Sequence, residues 1–355
     1  MLKMRNKKEI KIGNIIIGGN RKIAIQSMCN TITSDVTSTV EQILKLEKAG
    51  CEIARVAVRN MADAKSLGEI KKLIHIPLVA DIHFDYKLAL EAINQGIDKI
   101  RINPGNIGSI EKIKMVVDGC KAHSIPIRIG VNMGSLDPEI EKEYGRCAKS
   151  LVESAKKHIE ILESLQFYDI VLSLKASNIK ICVEAYEMID KMYDYPLHIG
   201  ITEAGSKYSG TVKSAIGMGI LINENIGDTI RVSLSTDPVE EIKCAKEILS
   251  NFGLYTKPII TSCPTCGRCQ YEMFPIVDTI EEWLSNTYPN VKIHVAIMGC
   301  AVNGPGEAKD ADIGIAGGKN EALIFIHGVP IRKVKQDDII KELEKEIANY
   351  INKNK

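Results

Sequence analysis

Eight short runs of aliphatic and β-branched residues recur along residues 1–252, and patterns typical of helices lie between them. Continuous apolar strands that alternate with helices are typical of a parallel sheet covered on both faces. Eight such units predict an α/β fold of the (β/α)8 TIM-barrel type. No Gly-x-Gly-x-x-Gly follows the first run, which disfavours an open dinucleotide-binding sheet. The predicted strands span residues 23–26, 53–58, 77–83, 99–103, 126–132, 169–176, 196–203 and 228–235.

Signals at the ends of several segments support this order. Ser34-Asp35 can cap a helix that runs to Ala49-Gly50, and Ser109 can cap a helix from Glu111 to Lys121. Asp237-Pro238 opens a helix from Val239 to Leu249, with proline at an allowed first-turn position. Before the first barrel strand, Ile10 to Ile17 reads as a hairpin that turns at Gly13-Asn14.

The pattern changes after Gly253. We therefore expect a barrel over residues 1–252 and a small α+β domain over residues 253–355, which is long enough to fold by itself. The expected elements of this second domain are strands at 258–261, 291–297, 311–316 and 322–327 and helices at 278–286 and 337–350.

Charge and cysteine usage restrict the possible partners. The chain has 46 basic and 45 acidic side chains among 355 residues, so net charge gives no reason to expect a nucleic-acid or membrane partner. No apolar run approaches the roughly 20 residues of a membrane span, and we expect a cytoplasmic protein.

Ten cysteines do not form a disulfide framework in a chain of this size. Six are scattered singly and read as small buried apolar residues: Cys29, Cys51, Cys120, Cys147, Cys182 and Cys244.

The carboxyl ends of the predicted strands, where barrel enzymes hold their active sites, carry many basic side chains. Five of them lie within aliphatic runs, namely Arg55, Arg101, Arg128, Lys175 and Arg231. Burying an unpaired charge costs several kcal/mol, so something must neutralise them. Asp81 and Glu203 are the acids at comparable positions. A phosphate or diphosphate would compensate the remaining charge, although pairing with acids of the surrounding helices is the alternative.

Other polar residues share these strand ends and could contact a ligand: Asn103, Asn132, Ser177, Thr202 and Ser233. His83 lies two residues from Asp81 and therefore on the same strand face, which suits proton transfer as well as a structural role. Glu203 could be a general acid or base, or the ion-pair partner of Arg231 or Lys175.

A cluster of cysteines dominates the second domain. Cys263, Cys266 and Cys269 have Cys-x-x-Cys-x-x-Cys spacing in a Pro/Gly-rich turn, and Cys300 follows about thirty residues later. A structural zinc site would need a second cysteine or a histidine near Cys300, and neither is at the usual spacing. Four thiolates could hold an iron–sulfur cluster. Alternatively, three thiolates could act with Glu307, which follows a Gly-Pro-Gly turn. Spacing does not decide between the last two.

At this point the chain resembles the 4-hydroxy-3-methylbut-2-enyl diphosphate synthase family in its short bacterial form. The resemblance runs in order along nearly the whole chain, and its last two motifs are highly specific. The matching motifs are Gln26-Ser27-Met28, Ala80-Asp81-Ile82-His83-Phe84, Arg101-Ile102-Asn103-Pro104-Gly105-Asn106, Gly130-Val131-Asn132, Ser173-Leu174-Lys175-Ala176-Ser177, Ile201-Thr202-Glu203-Ala204-Gly205, Ser262-Cys263-Pro264-Thr265-Cys266-Gly267-Arg268 and Gly299-Cys300-Ala301-Val302-Asn303-Gly304-Pro305-Gly306-Glu307.

The resemblance implies a barrel followed by a cluster domain, in a homodimer where the cluster domain of one chain closes over the barrel of the other. It implies reductive ring opening and dehydration of 2-C-methyl-D-erythritol 2,4-cyclodiphosphate, a step of non-mevalonate isoprenoid synthesis. Flavodoxin or ferredoxin would deliver two electrons, one at a time, through a [4Fe-4S] cluster.

By motif position, the resemblance also assigns site residues. The cluster ligands would be Cys263, Cys266, Cys300 and Glu307. The diphosphate would be bound by Arg55, Arg101, Arg128 and Lys175, with help from Asn132, Ser177 and Ser262. Glu203 and His83 would handle protons and hydroxyl groups.

Two departures from the family pattern are small. Cys29 stands where we expect a threonine, and Cys269 is an additional thiol to which we assign no role. Two alternatives to the synthase are another phosphate-binding barrel, such as a pterin-type synthase with a structural zinc appendage, and a non-enzymatic iron–sulfur redox sensor.

Overall fold

The computed structural model describes residues 7–300, 306 and 308–354. The chain divides into two compact units, Met1–Leu254 and Tyr255–Lys355. Within the described ranges, every helix is too short or too polar to cross a membrane.

The first unit is a parallel barrel of eight strands, which confirms the predicted fold. The strand order is β8-β7-β6-β5-β4-β3-β10-β9, and a parallel bridge between Leu172 and Leu197 brings the two end strands together. The barrel strands are β3 (Ala24–Met28), β4 (Ile53–Val58), β5 (Leu78–Ile82), β6 (Lys99–Arg101), β7 (Ile127–Asn132), β8 (Ile170–Lys175), β9 (His198–Ile199) and β10 (Thr229–Ile230).

The last two barrel strands are much shorter than predicted. The runs at residues 196–203 and 228–235 each contain only two residues of strand. Beyond the strands, the two segments approach closely at Gly200, where a Cβ atom would lie 2.4 Å from the Arg231 carbonyl oxygen. Their carboxyl halves are therefore loops at the barrel mouth.

Helices surround the barrel, and several begin where the sequence predicts. The Asp35 side chain accepts a hydrogen bond from the Ser38 amide, and Gly50 ends the same helix with φ 96°. The Asp237 side chain accepts a bond from the Val239 amide. The barrel helices are α1 (Val36–Ala49), α2 (Met61–Leu73), α3 (Tyr86–Asn94), α4 (Ile110–His123), α5 (Pro138–Tyr144), α6 (Ala148–Ser164), α7 (Ile179–Met192), α8 (Lys207–Asn223) and α9 (Pro238–Asn251).

The predicted hairpin closes the amino-terminal end of the barrel. Its strands, β1 (Ile10–Ile12) and β2 (Ile15–Ile17), pair in antiparallel fashion. Ile12 and Ile17 are completely buried. They pack against residues at the amino-terminal ends of four barrel strands, namely Ala24, Ile53, Val79 and Val171. The barrel interior is thus sealed below by an apolar layer, and its opposite end carries the polar residues.

The second unit is a mixed sheet covered by helices. Its strand order is β11-β12-β13-β14-β15, with parallel pairing from β11 to β13 and antiparallel pairing after that. Two helices and the sheet bury a common apolar cluster that includes Ile280, Ile315 and Leu343. The elements are β11 (Ile259–Ser262), α10 (Phe274–Thr287), β12 (His294–Met298), β13 (Ile313–Gly318), β14 (Glu321–Ile326), β15 (Val329–Lys335) and α11 (Ile339–Lys353).

Strand β15 is not among the predicted elements. Its residues Val329–Lys335 alternate poorly and are mostly exposed, so they lack the apolar pattern of a buried strand. The sequence signal for this strand is the pair His327-Gly328 before it. In the structure both residues are left-handed, with φ 48° and φ 75°. Two such residues form the tight turn that favours a β-hairpin.

The hairpin gives a matched pair of predictions. We expect Ile12→Ala to destabilise the barrel by about 3 kcal/mol, since it leaves a cavity in a closed apolar layer. Ile16→Ala should change stability by less than about 0.5 kcal/mol, because Ile16 is 40% exposed. Circular dichroism during urea unfolding measures both changes. The single tryptophan, Trp283, lies in the second unit, so its fluorescence transition should stay unchanged. Equal effects of the two substitutions would contradict a buried hairpin.

Candidate active site

A polar cavity opens at the carboxyl ends of the barrel strands. Its volume is about 480 Å³, including the part open to solvent. Five of the residues that line it are basic, whereas only one is an acid. The lining residues are Arg55, Asp81, His83, Arg101, Arg128, Gly130, Asn132, Ser173, Lys175, Thr202, Arg231 and Ser233.

Ten of the residues that we selected from the sequence line this cavity, and four others lie elsewhere. Asn103 is buried beside it, and its side-chain oxygen accepts a hydrogen bond from the Gly130 amide at 3.0 Å. Ser177 and Glu203 are exposed on loops that follow their strands. Ser262 is the last residue of β11, in the second unit.

Asp81 holds two of the arginines in place. Its carboxylate lies 3.2 Å from Arg101 Nη1 and 3.5 Å from Arg55 Nη2. Burial favours the neutral acid, but Arg55, Arg101 and Arg128 outweigh this effect and lower the pKa of Asp81 to about 2. Asp81 is therefore ionised at any physiological pH, and it neutralises part of the basic cluster.

Arg101 makes three polar contacts with the protein. Besides Asp81, it donates to the Gly130 carbonyl oxygen at 2.7 Å and to His83 Nε2 at 2.8 Å. Because a guanidinium cannot accept a hydrogen bond, His83 Nε2 must be the acceptor, and the proton of the neutral ring is on Nδ1. Burial and Arg101 lower the pKa of His83 further. His83 is thus a neutral donor at the cavity rim.

Arg128 is the opposite case, since its charge is poorly compensated. It is 2% exposed, and Nε and Nη1 are buried without a hydrogen-bond partner. Burial, followed by Arg55 and Arg101, lowers the pKa of Arg128 well below its usual range. Arginine does not lose its proton in proteins, so this shift represents a free-energy cost of folding with the site empty.

Lys175 completes the basic side of the cavity. Its Nζ lies 3.3 Å from His198 Nε2, and His198 Nδ1 lies 2.7 Å from the Thr229 hydroxyl. Burial, together with Arg128 and Arg231, lowers the pKa of Lys175 well below its usual range. Burial and Lys175 likewise lower the pKa of His198, so this histidine is neutral and can accept a hydrogen bond from Lys175.

The partner of Arg231 differs from the partners that we considered. Pairing of Glu203 with Arg231 or Lys175 was one of two alternatives for Glu203, but the carboxylate beside Arg231 Nε, at 3.6 Å, belongs to Glu241 of α9. Glu241 also accepts hydrogen bonds from the Ser27 hydroxyl at 2.9 Å and the Leu234 amide at 3.0 Å. Glu241 is not at a strand end, where the candidate residues were predicted, but enters the site from a helix. Its only sequence signal is an acid in the first turn of a helix capped by Asp237.

Two residues at the mouth have left-handed backbones without being glycine. Glu203 has φ 51°, and Phe84, which follows His83, has φ 64° and is 68% exposed. Such conformations are uncommon and concentrate at functional sites. Both lie directly beside cavity residues, on the loops after β9 and β5.

The cysteines of the second unit gather at one edge of its sheet. Cys263 directly follows β11, and Cys300 follows the neighbouring parallel strand β12 after one glycine. A Cβ atom on Gly299 would lie 3.4 Å from Cys263 Sγ and 3.5 Å from Cys269 Sγ. The absence of a side chain at position 299 therefore leaves space beside these two sulfur atoms.

Hydrogen bonds order the turn that carries these cysteines. The Thr265 amide donates to Cys263 Sγ at 3.2 Å, and the Cys269 amide donates to the Cys266 carbonyl oxygen at 2.9 Å. The Tyr271 hydroxyl donates to the Met298 carbonyl oxygen at 3.0 Å, which ties the end of the turn to β12. Cys266 is exposed, and the other three cysteines are half-buried.

These residues suit an iron–sulfur cluster in donor type and placement. Thiolates are the usual ligands, and Gly299 leaves room beside two of them. Nevertheless, among the described residues no three His, Cys, Asp or Glu side chains lie close enough to hold a single metal ion. The predicted ligand Glu307 lies outside the described residues. Of the six scattered cysteines, five are buried as predicted and Cys147 is only half-buried.

Comparison with known proteins identifies relatives along the whole chain. Residues 7–246 match the GcpE TIM-barrel domain, and residues 259–349 match the GcpE protein C-terminal domain. A protein of Clostridium perfringens is 56% identical over 345 residues, which cover 96% of this chain and 98% of the relative. One of Lysinibacillus sphaericus is 55% identical over 344 residues, with 96% and 92% coverage. Both are named 4-hydroxy-3-methylbut-2-en-1-yl diphosphate synthase (flavodoxin).

Two solved structures are similar to this chain over about 70% of its length. Dihydropteroate synthase of Xanthomonas albilineans superposes with a TM-score of 0.50 at 10% identity, covering 69% of this chain and 98% of that chain. The Stenotrophomonas maltophilia enzyme gives a TM-score of 0.50 at 12% identity, covering 70% and 99%. At such low identity, these similarities show the fold and nothing about the reaction.

The contrast between Arg128 and Arg101 yields a paired prediction. We expect Arg128→Met to stabilise the ligand-free protein by about 1–3 kcal/mol, because it removes a buried charge that lacks partners. Arg101→Met should destabilise it by about 3 kcal/mol, since Asp81 then loses one of its two close arginines. Chemical unfolding without phosphate or sulfate in the buffer measures both. Destabilisation by both substitutions would show that Arg128 is already compensated in the empty site.

Proposed function

The chain belongs to the GcpE family of 4-hydroxy-3-methylbut-2-en-1-yl diphosphate synthases, and we propose that its barrel mouth binds the diphosphate group of the substrate. The enzyme is an oxidoreductase of non-mevalonate isoprenoid synthesis, which reductively opens and dehydrates 2-C-methyl-D-erythritol 2,4-cyclodiphosphate. The observation that carries the proposal is the surplus of positive charge in the cavity, where five basic side chains face the carboxylates of Asp81 and Glu241.

Within this proposal, the cations have different tasks. Arg128 has donor groups without partners and would bind diphosphate oxygens directly, together with Lys175, Arg55 and Arg101. Arginine offers a bidentate fork to phosphate oxygens, and lysine offers a compact charge. We assign the remaining predicted contacts to neutral side chains and to Arg231. The neutral contacts are Asn132, Ser177, Thr202 and Ser233.

Asp81 and Asn103 would act mainly by positioning. Asp81 fixes the guanidinium groups of Arg55 and Arg101, and Asn103 fixes the backbone of Gly130, whose carbonyl oxygen also holds Arg101. A rigid set of donors avoids the reorganisation cost that would otherwise weaken binding.

Proton handling falls to His83 and Glu203 in this proposal. Ring opening and loss of water consume two electrons and require a proton for the leaving oxygen. His83 can donate from Nδ1 because Arg101 occupies its other nitrogen. Glu203 lies next to Thr202 of the cavity lining and is exposed. Its left-handed backbone sets the direction in which the carboxylate leaves the loop.

For the second unit we propose a [4Fe-4S] cluster held by Cys263, Cys266, Cys300 and Glu307. When bound, such a cluster supplies single electrons and a Lewis-acidic iron. The protein's part is to deliver thiolates from adjacent strand ends and to leave space beside Gly299. Cys269 lies beside Cys263, so this placement keeps the four-thiolate alternative in the test below.

The cell would supply electrons and a reducing environment. The relatives are named as flavodoxin enzymes, and we propose flavodoxin as the donor, with ferredoxin as the alternative. We place the enzyme in the cytoplasm because its scattered cysteines are buried or half-buried as small side chains, without a disulfide framework. The balanced charge favours neither a nucleic-acid nor a membrane partner.

We further propose a homodimer formed through α8. Four residues at i, i+4 spacing make an exposed apolar stripe along this helix, namely Tyr208 (83% exposed), Val212 (44%), Ile216 (50%) and Ile220 (41%). Such a continuous apolar face on a soluble protein marks an interaction site. A second copy of the chain would cover it in an isologous contact.

The function and the cluster ligands are tested together by anaerobic turnover of the cyclic diphosphate with reduced flavodoxin. We expect Cys269→Ser to retain about four irons per chain and full turnover, since three thiolates and Glu307 complete the site. Glu307→Ala should lose most activity, because one iron loses its oxygen ligand. Iron and acid-labile sulfide analysis, with steady-state rates, measures these outcomes.

The result that would refute the glutamate ligand is an active Glu307→Ala protein combined with an inactive, iron-poor Cys269→Ser protein. One bound zinc per wild-type chain would refute the cluster itself. Glu272→Ala is a suitable control, because Glu272 is exposed in the segment between the cysteine turn and α10.

The dimer is tested by a charge in the apolar stripe. We expect Ile216→Glu to convert a dimer into a monomer of about half the mass, because an unpaired carboxylate would be buried in the contact. Met115→Glu in α4 is the matched control, since Met115 is also 50% exposed, and it should leave the mass unchanged. Light scattering after size exclusion measures both. A dimeric Ile216→Glu protein would place the interface elsewhere.

A further inference from the structure

A second lysine lies inside the barrel, beneath the cavity. Lys99 is the first residue of β6, two positions before Arg101, and so points to the same face of the sheet. Its side chain is completely buried, and Nζ has no hydrogen-bond partner. Lys99 does not line the cavity. The mechanism above gives it no role.

The strand register places Lys99 within the basic cluster. Val79 of β5 pairs with Lys99 on one side and with Arg55 on the other, so the three residues form one row along the sheet. On the next strand, Arg101 pairs with Arg128. Val79, in the middle of this row, packs against the hairpin, so the row adjoins the apolar layer at the amino-terminal end of the barrel. Lys99 therefore occupies the boundary between the sealed floor and the charged mouth.

Charges of the same sign surround this lysine. The basic groups facing the interior are Arg55 on β4, Arg101 on β6, Arg128 on β7, Lys175 on β8 and Arg231 directly after β10, and His198 on β9 is neutral. The opposing carboxylates are Asp81 on β5 and Glu241 on α9. Asp81 is already shared by two arginines, and Glu241 lies beside Arg231. An ammonium at Lys99 would thus be an additional charge that no acid among the described residues compensates.

We propose that Lys99 is a neutral amine in the ligand-free barrel and that it takes up one proton from water when the cyclic diphosphate binds above it. This inference rests on the proposed diphosphate site. No covalent bond changes in the step, since the proton adds to the Nζ lone pair. Lys99 acts through the field of the cluster and is a positioning residue, not one that touches the reacting atoms.

The electrostatics support this linkage. Burial, followed by Arg128 and Arg55, lowers the pKa of Lys99 well below its usual range. A bound dianion offsets much of the surplus positive charge around Lys99 and therefore raises this pKa again. Ring opening then adds a negative charge, since a phosphodiester-like oxygen becomes a terminal phosphate oxygen. A protonated Lys99 would stabilise that additional charge.

Proton uptake by Lys99 makes the affinity for the cyclic diphosphate depend on pH. The pKa of Lys99 is low in the free protein and higher in the complex, so binding takes up protons and the affinity falls as pH rises between the two values. The cyclic diphosphate has no proton to gain near neutral pH, because each phosphorus carries one strongly acidic hydroxyl group. Proton uptake on binding must therefore occur on the protein.

Isothermal titration calorimetry can count these protons. Anaerobically purified protein without reductant is titrated with the cyclic diphosphate at pH 8.5, in buffers of different ionisation enthalpy. At this pH His83 contributes little, and the slope of the observed enthalpy gives the number of protons taken up. We expect clear uptake by the wild type, reduced by up to one proton in Lys99→Met, and about tenfold weaker binding by that variant at pH 7.

Gln26→Met is the matched control. Gln26 on β3 is also buried, and both of its amide atoms lack partners, but it has no proton to exchange. Its proton count should equal that of the wild type. Equal counts for Lys99→Met and wild type would overturn the inference and leave the proposed function intact. Failure of the wild type to bind the cyclic diphosphate would remove the proposed site and the inference with it.

A second measurement covers the folding of the variant. Removing a buried group that must lose its proton should raise the melting temperature of ligand-free Lys99→Met at pH 7. The gain should shrink as pH approaches 10, because the unfolded chain then also holds a neutral lysine. A purely structural role would give a change that does not depend on pH. Lys99→Gln is the alternative variant if the methionine substitution does not fold.

Discussion

Uncompensated positive charge inside the barrel is the constraint on which the rest of the structure depends. Arg128 and Lys175 are buried among other cations, and in the described part of the chain Asp81 and Glu241 are the carboxylates that oppose them. Such a cluster lowers the free energy of unfolding, and a bound anion would compensate its charge. The surrounding structure limits that cost. Asp81 lies between Arg55 and Arg101, and the Gly130 carbonyl oxygen accepts a further hydrogen bond from Arg101. The apolar floor stabilises the strands that carry these residues.

Features of the fold and of the site that depend on neighbouring residues could be predicted from the sequence, whereas features that depend on distant contacts could not. Apolar runs and caps are local, and β4 lies where the sequence indicates at both ends. The residues that line the cavity could also be predicted, because barrel topology places the carboxyl ends of all strands at one mouth. The pairing of their charges could not be predicted from the sequence. Glu241 meets Arg231 from a helix whose rotation is set by packing, and the short ends of β9 and β10 depend on the close approach at Gly200. Contacts of this kind join distant segments and leave no periodic signal.

The second unit shows the same division between local and distant information. The spacing of Cys263 and Cys266 is local and indicates a metal site, but the position of Cys300 beside them follows from parallel pairing of β11 with β12. Family membership supplies the reaction, and the geometry supplies reasons for individual residues. Gly299 leaves room beside two sulfur atoms, and Tyr271 ties the cysteine turn to β12. The turn with three thiols is therefore attached to the strand that precedes the fourth, Cys300.

The hairpin at the barrel floor also has a consequence for the order of folding during synthesis. β1 and β2 leave the ribosome before every barrel strand, yet the surface that buries them includes Val171 of β8. Three of the four contacts, through Ala24, Ile53 and Val79, become available much earlier. The apolar face of the hairpin is therefore only partly buried until β8 has been synthesised. Its early docking on β3 to β5 would protect apolar residues that a growing chain otherwise exposes.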